Sequence, residues 1–100
     1  LTLSYKGHKG IFTYTLGGIS IPANAFLKAN TDYDFFIDIS RKGNTSLRAD
    51  GKVDVSMLAS KLANGGGHPN ASGCKFDDFR ESINLNDTRT FLQNKLDKIS

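Results

Sequence analysis

Two stretches of the chain place apolar residues on one face of a helix. In the first, the apolar positions recur at the three- and four-residue spacing of an amphipathic helix: Val55, Leu58, Ala59, Leu62 and Ala63. Asp54 is a good N-cap for this helix, and Asn64-Gly65 can supply a left-handed C-cap. The second stripe consists of Phe91, Leu92, Lys95, Leu96 and Ile99. We predict a loop at 84–86 and an N-cap at Asp87 for this last helix.

Alternating apolar and polar residues predict four or five strands. The candidate strands are residues 1–5, 11–16, 33–39, 45–50 and 73–76. In the clearest of them, one face carries Tyr33, Phe35, Ile37 and Ile39, and the other carries Asp34, Phe36 and Asp38. The short connection at 41–44 predicts an antiparallel hairpin with the next strand, in which Leu47 and Ala49 point inward and Arg48 points outward.

The remaining segments have weaker patterns. Residues 6–10 predict a turn with His8 exposed to solvent, and Gly17-Gly18 predicts another turn. A short helix is expected from Pro22 to Asn30, although residues 19–21 could instead extend as a strand. A helical turn is expected at 77–83. Together these elements predict an α/β fold, a small mixed β-sheet of about four or five strands with helices packed against it.

Composition narrows the classes of function. The 100 residues carry a formal net charge of +3, which fits an anionic ligand and argues against long duplex DNA. The single cysteine, Cys74, excludes an internal disulfide and a cysteine-based zinc site. No apolar run approaches the ~20 residues of a membrane span, so we expect no membrane contact. A lone cysteine with no internal disulfide fits the cytoplasm, and we expect that location. Because the chain starts at Leu1 rather than methionine, we expect one domain of a longer protein.

Two carboxylates, Asp34 and Asp38, lie four residues apart on one predicted strand face. Paired carboxylates can hold a metal ion. No histidine and no third carboxylate joins them in the sequence, so a solvated strand face is the favoured interpretation. We therefore expect no metal and no other cofactor to be bound by this chain.

The segment from Asn64 to Gly73 holds four of the ten glycines and one of the two histidines. Consecutive glycines are costly to order, and they occur where backbone approaches a ligand closely or where N–H groups converge on an anion. His68 can donate to a phosphate oxygen, and Asn70 and Ser72 add short polar groups. The segment is neither a Walker A loop nor a Rossmann fingerprint. From the residues alone, a simple turn between a helix and a strand is an equally good interpretation.

The run from Gly65 to Gly73, preceded by Ser46-Leu47-Arg48 and by Val53-Asp54-Val55, resembles the DHH-associated domain. This is the C-terminal, substrate-binding half of DHH-superfamily phosphoesterases. The superfamily includes oligoribonucleases, phosphatases of adenosine bisphosphate, cyclic-dinucleotide phosphodiesterases and single-strand exonucleases. The specific part of the resemblance covers residues 33 to 77.

The resemblance implies that residues 1–100 are a single substrate-binding domain whose catalytic DHH domain lies elsewhere in the same polypeptide. It implies that Arg48, Gly65, Gly66, Gly67 and His68 bind the phosphate of a short RNA or small nucleotide, with weaker contacts from Asn70 and Ser72. It also implies manganese or magnesium in the catalytic domain. The chain has no Asp-His-His motif, so we expect no catalytic residues here and no hydrolysis by this domain alone.

Several alternatives stay open at the level of sequence. Alanyl-tRNA synthetases carry a related domain with a similar glycine loop, so a tRNA-binding module is one alternative. A non-catalytic interaction domain is another, and the chain could also form a homodimer. As a lone strand arginine, Arg48 would ordinarily be a surface ion-pair residue; Lys75 would ordinarily be solvated, although it could reach a phosphate.

Overall fold

The computed structural model describes residues 2–15, 23–82 and 84–100. Within these ranges the chain forms one six-stranded sheet and three helices. The strands are β1 (Thr2–Tyr5), β2 (His8–Thr15), β3 (Phe35–Ser40), β4 (Asn44–Ala49), β5 (Gly66–His68) and β6 (Ala71–Lys75). The helices are α1 (Ala23–Ala29), α2 (Val55–Ala63) and α3 (Leu85–Ile99). The predicted α/β class is confirmed, with more strands than expected.

The sheet has the strand order β1-β2-β3-β4-β6-β5. β2 and β3 are parallel, whereas every other neighbouring pair is antiparallel. A parallel pair needs a crossover connection, and α1 lies within the connection from β2 to β3. The predicted hairpin of the third and fourth strands is confirmed, with a turn closed by Gly43 N donating to Ser40 O.

The two faces of the sheet carry different cores. On the face that we call inner, α2 packs over β5 and β6 and α3 packs over β1. The main hydrophobic core lies between them and the sheet, and its fully buried members include Phe35, Ile39, Leu47, Leu58 and Leu92. On the opposite, outer face, α1 packs against β3 and β4. A smaller core of Leu27 and Phe36 lies there.

The helix α2 matches its prediction at both ends. The Asp54 side chain accepts from Ser56 N and Met57 N, and Asn64 ends the helix in the left-handed conformation at φ 54°. The start of α3 was predicted wrongly, because the helix begins at Leu85 and its cap is Asn84, which accepts from Asn86 N. Asp87 lies instead in the first turn of α3, where its negative charge interacts favourably with the positive end of the helix dipole.

The β1 edge of the sheet is closed by side chains of α3. Gln93 accepts from Ser4 N at 3.0 Å and donates from Nε2 to Ser4 O at 2.9 Å. Arg89 Nε donates to Thr2 O at 2.9 Å. These bonds satisfy backbone groups that an edge strand otherwise presents to other chains.

Two further predictions need correction near the first hairpin. The turn at 6–10 is confined to Lys6 and Gly7, both with positive φ, because two such residues suffice for a tight β-hairpin and β2 then starts at His8. Tyr33 does not share a strand face with Phe35. β3 starts only at Phe35, and Tyr33 instead packs with the outer cluster.

The segment after β6 does not form the predicted helical turn at 77–82. Phe79 N donates to Phe76 O, and the Phe79 ring packs against Phe91 of α3 with ring centroids 5.1 Å apart. Burying this ring against the helix fixes the segment as a turn. Helix α1 is confirmed, and Asn30 N donates to Phe26 O at its end. The predictions for Leu1, for residues 16–22 and for Ile83 lie outside the described residues.

Candidate functional site

The glycine-rich segment forms a β-hairpin, which corrects the expectation of a loop. Gly65 N donates to Ala59 O as the chain leaves α2, and residues 66–68 then form β5. β5 pairs antiparallel with β6 and is the last strand of the described sheet. The glycine amides are therefore arranged along an edge of the sheet rather than curled into a concave nest.

The three consecutive glycines have different structural requirements. A Cβ on Gly65 would lie 2.2 Å from Gly73 O, so only glycine fits there. Gly67 adopts φ 145°, which L-residues rarely adopt, and its Cβ would lie 2.8 Å from Ala71 O. A Cβ on Gly66 would meet nothing within 4 Å in the described structure, and its φ lies outside the left-handed region. Packing within the described chain thus explains two of these glycines and leaves Gly66 unexplained.

The strand register brings Arg48 and His68 together. Arg48 pairs with Ala71 across β4 and β6, and Ala71 pairs with His68 across β6 and β5. Paired residues share a face of a sheet, so the two side chains stand on the outer face with the small Ala71 between them. Their backbones lie two strand spacings apart, about 10 Å. His68 is exposed and Arg48 is half-buried.

The next row of the same face has almost no side chains. Ser46 pairs with Gly73, and Gly73 pairs with Gly66. Beside Arg48 and His68 the outer face is therefore a low, flat surface made largely of backbone. A planar or extended ligand can approach the strands closely there.

The Arg48 side chain is held by backbone carbonyl groups. Its Nη1 donates to Leu47 O at 2.9 Å and lies 3.4 Å from Ser72 O. A guanidinium group carries five N–H donors in a planar fork, so these bonds leave donors for a second partner. The anchoring reduces the freedom that the long side chain would lose on binding a ligand.

Three segments hold the turn at Pro69 and Asn70. Ala49 N donates to Asn70 O, Gly51 N donates to Asn70 Oδ1, and Val55 N donates to Pro69 O, at 3.0, 3.1 and 2.9 Å. The turn is therefore tied to the end of β4, to the loop that follows and to the start of α2. The hairpin folds back along α2, so its turn lies at the positive end of the helix dipole.

Ser72 does not join Arg48 and His68 on the outer face. It is buried on the inner face, and its Oγ donates to His68 O at 2.6 Å. The structure brings together Arg48, Gly66 and His68, and it places Asn70 and Ser72 where they shape the hairpin. Sequence spacing could not show that Ser72 points inward, because the two faces of β6 can be assigned only once the bounds of the strand are known.

A group of charged side chains that the sequence did not indicate lies at the start of β3, the end at which Phe36 pairs with Arg48. His8 Nδ1 is 2.9 Å from Asp34 Oδ2, and Lys52 Nζ is 3.4 Å from Asp34 Oδ1. The hydrogen bond from His8 holds the pKa of Asp34 below its ordinary value. His8 is thus paired rather than simply solvated. Twenty-six residues separate it from Asp34, so no local pattern signals the contact.

The described residues provide little for a metal ion. Asp34 is engaged by His8 and Lys52, and Asp38 accepts from Thr13 Oγ1 at 2.6 Å. No cluster of three or more histidine, cysteine or acidic side chains suited to a metal occurs in the part of the chain that is described. Burial raises the pKa of the Cys74 thiol to about 11. The described helices include none long and apolar enough to cross a membrane.

Comparison with known proteins gives the family. The sequence pattern of the DHHA1 domain matches residues 12–98, which is most of the chain and includes β4, α2 and the β5–β6 hairpin. The chain belongs to the DHHA1 domain family.

Relatives of this DHHA1 domain are much longer proteins. It is 53% identical over 89 residues to a Helicobacter pylori protein named 3',5'-cyclic-nucleotide phosphodiesterase, and covers 89% of the domain but 26% of that protein. A crystal structure of an uncharacterized protein from Helicobacter pylori G27 matches with TM-score 0.90 and 47% identity, over 97% of the domain and 28% of that chain. The DHHA1 domain thus spans about a quarter of these relatives.

A more distant structure supports the fold alone. An exopolyphosphatase-related protein from Bacteroides fragilis matches with TM-score 0.55 and 24% identity, over 91% of the domain and 28% of that chain. This arrangement of strands and helices therefore also occurs in a protein whose sequence differs widely from this one.

Proposed function

We propose that this DHHA1 domain binds a phosphate group of a short RNA or small nucleotide on the outer face of β4, β6 and β5. The observation that carries the proposal is the row formed by Arg48, Ala71 and His68, beside the exposed Gly66, where an added Cβ would meet nothing within 4 Å among the described residues. Arginine offers a planar fork of donors that matches phosphate, and histidine can add one more hydrogen bond.

Each predicted residue has a defined part in this proposal. Arg48 and His68 contact the phosphate from opposite sides of Ala71, and Gly66 and Gly67 allow close approach to the β5 edge. Gly65 lets the hairpin pack against β6. Asn70 and Ser72 act by positioning His68, through the turn and through the bond from Ser72 Oγ to His68 O.

The proposal places hydrolysis in a separate catalytic domain of the same polypeptide, acting in the cytoplasm. Manganese or magnesium would be held by that other domain, as the resemblance implies. This domain would supply position: holding the phosphate lowers the entropic cost of aligning the scissile bond. The name of the Helicobacter pylori relative, a cyclic-nucleotide phosphodiesterase, supports a phosphodiester substrate.

Calorimetric titration of the domain with AMP tests the proposal. We expect Arg48→Ala and His68→Ala each to weaken binding by about tenfold or more, since hydrogen bonds to charged groups contribute about 1.5–3 kcal/mol. Arg41→Ala and His8→Ala are matched controls, because both residues lie outside the Arg48–His68 row and are paired with carboxylates. We expect both controls to bind like the wild type.

Two results would contradict the proposal. A folded wild-type domain that binds tRNA and ignores AMP would favour the tRNA-binding alternative. If Arg41→Ala weakened AMP binding as much as Arg48→Ala does, the effect would be one of overall charge and not of a site on the outer face.

A further inference from the structure

Lys75 lies on the same face of the sheet as the proposed phosphate site. Alternate residues of β6 point outward, so Lys75 shares the outer face with Gly73 and Ala71, whereas Ser72 is buried on the inner face. Lys75 is exposed, and its partner on β4 is Asn44. The row of Lys75 and Asn44 is therefore parallel to the row of Arg48 and His68.

The spacing of the two rows suits a ligand with more than one phosphate. Ala71 and Lys75 are four positions apart along β6, about 13 Å of extended strand. The low surface of Ser46, Gly73 and Gly66 lies between them. The long, flexible lysine side chain can reach back over Gly73, so its ammonium group can meet a phosphate next to the one at Arg48.

Nearby charges favour the β6 side of this surface for an anion. Asp38 pairs with Ser46 across β3 and β4, so its carboxylate disfavours anions above β3. The ion pairs found among residues 2–15, 23–82 and 84–100 do not involve Lys75. An extended anionic chain therefore meets attraction over β6 and β5 and repulsion over β3.

We infer that Lys75 forms a second phosphate subsite, which selects linear nucleotides with two or more phosphates over those with one. The inference rests on the proposed function, because the first phosphate is held by Arg48 and His68. AMP or a cyclic mononucleotide fills the first subsite alone. A 5'-phosphorylated linear dinucleotide places its second phosphate over Gly73, within reach of Lys75.

Titrations of the domain with AMP and with 5'-phosphorylated diadenylate, each at several salt concentrations, test this subsite. We expect Lys75→Ala to leave AMP affinity unchanged and to weaken dinucleotide binding by about threefold to fivefold at low salt. The slope of log K against log salt for the dinucleotide should fall by about 0.7, the value for one lost contact to a single strand. Lys75→Arg should restore both.

The control variant is Lys61→Ala, which removes the same charge from an exposed position on α2, whose buried residues pack on the inner face. It should bind both ligands like the wild type. Equal weakening of AMP and dinucleotide by Lys75→Ala, or no weakening of either, would overturn the subsite while leaving the first site intact. Failure of the wild type to bind AMP would overturn the proposed function itself.

Discussion

The substitution Gly66→Ala separates the needs of the fold from the needs of a ligand. Within the described part of the chain, a Cβ at Gly66 would meet no atom within 4 Å, and the residue has no positive φ. Alanine in a strand is favoured over glycine by about 0.5–1 kcal/mol, because glycine loses more backbone freedom on folding. We therefore expect Gly66→Ala to leave stability unchanged or raise it by up to about 1 kcal/mol.

The neighbouring glycines are internal controls for this expectation. Gly65→Ala would place a Cβ 2.2 Å from Gly73 O, between two backbones that cannot both move aside. Overpacking of this kind costs about 1–3 kcal/mol or more. Gly67→Ala combines a contact at 2.8 Å with φ 145°, a conformation that costs a non-glycine residue about 1–3 kcal/mol. Both variants should be clearly less stable than Gly66→Ala.

Gly66→Ala, although tolerated by the fold, should weaken the binding of AMP. Its new methyl group would stand on the outer face, in the row of Ser46 and Gly73, where the ligand is proposed to lie. We expect AMP affinity to fall by about tenfold, because a methyl group there holds the ligand away from Arg48 and His68.

Urea unfolding followed by far-UV circular dichroism gives the stability, and calorimetric titration of the same samples gives the affinity. A stable Gly66→Ala variant with reduced affinity would support a ligand on the outer face. Wild-type affinity in that variant would refute the approach of a ligand at Gly66. A destabilisation of more than about 1 kcal/mol would refute the steric argument instead.

Two further predictions concern titratable groups that are not part of the proposed site. The pKa of Asp34 is lowered chiefly by the hydrogen bond from His8, so ionised Asp34 stabilises the fold above the unfolded pKa of about 3.9, and this stability is lost as pH falls through the lower folded pKa. Asp34→Asn should therefore reduce the free energy of unfolding at pH 6 and make its decline in acid less steep. An unchanged urea midpoint at pH 6 would contradict this. The pKa of Cys74 is raised to about 11, so the thiol is protonated at pH 8; iodoacetamide should alkylate it far more slowly in the folded domain than in urea, and equal rates would show that the thiol is not buried.

Local signals predicted some elements well and others poorly. Helix α2 was predictable at both ends, because Asp54 and Asn64 cap it through contacts within a few residues. The start of α3 was not, because Asn84 and Asp87 are both good caps and only packing selects between them. β5 carries no apolar alternation and begins with two glycines, which are depleted in strands, so its pairing with β6 decides its conformation.

Predicting the candidate site required both the residue types in the sequence and the order of the strands in the sheet. The residue types around His68 indicated a phosphate ligand, and the resemblance added Arg48. Their shared row depends on β6 lying between β4 and β5, an order that the sequence does not encode locally. The burial of Ser72 depends on the same register, which is why a polar residue in the motif could be taken for a ligand contact.

The two edges of the sheet differ in what they can accept from outside. Gln93 and Arg89 occupy backbone groups of β1, so a foreign strand cannot extend the sheet there without displacing α3. At the other end, all three residues of β5 are exposed. Strand addition, whether in self-association or aggregation, is thereby directed to the edge beside the proposed site.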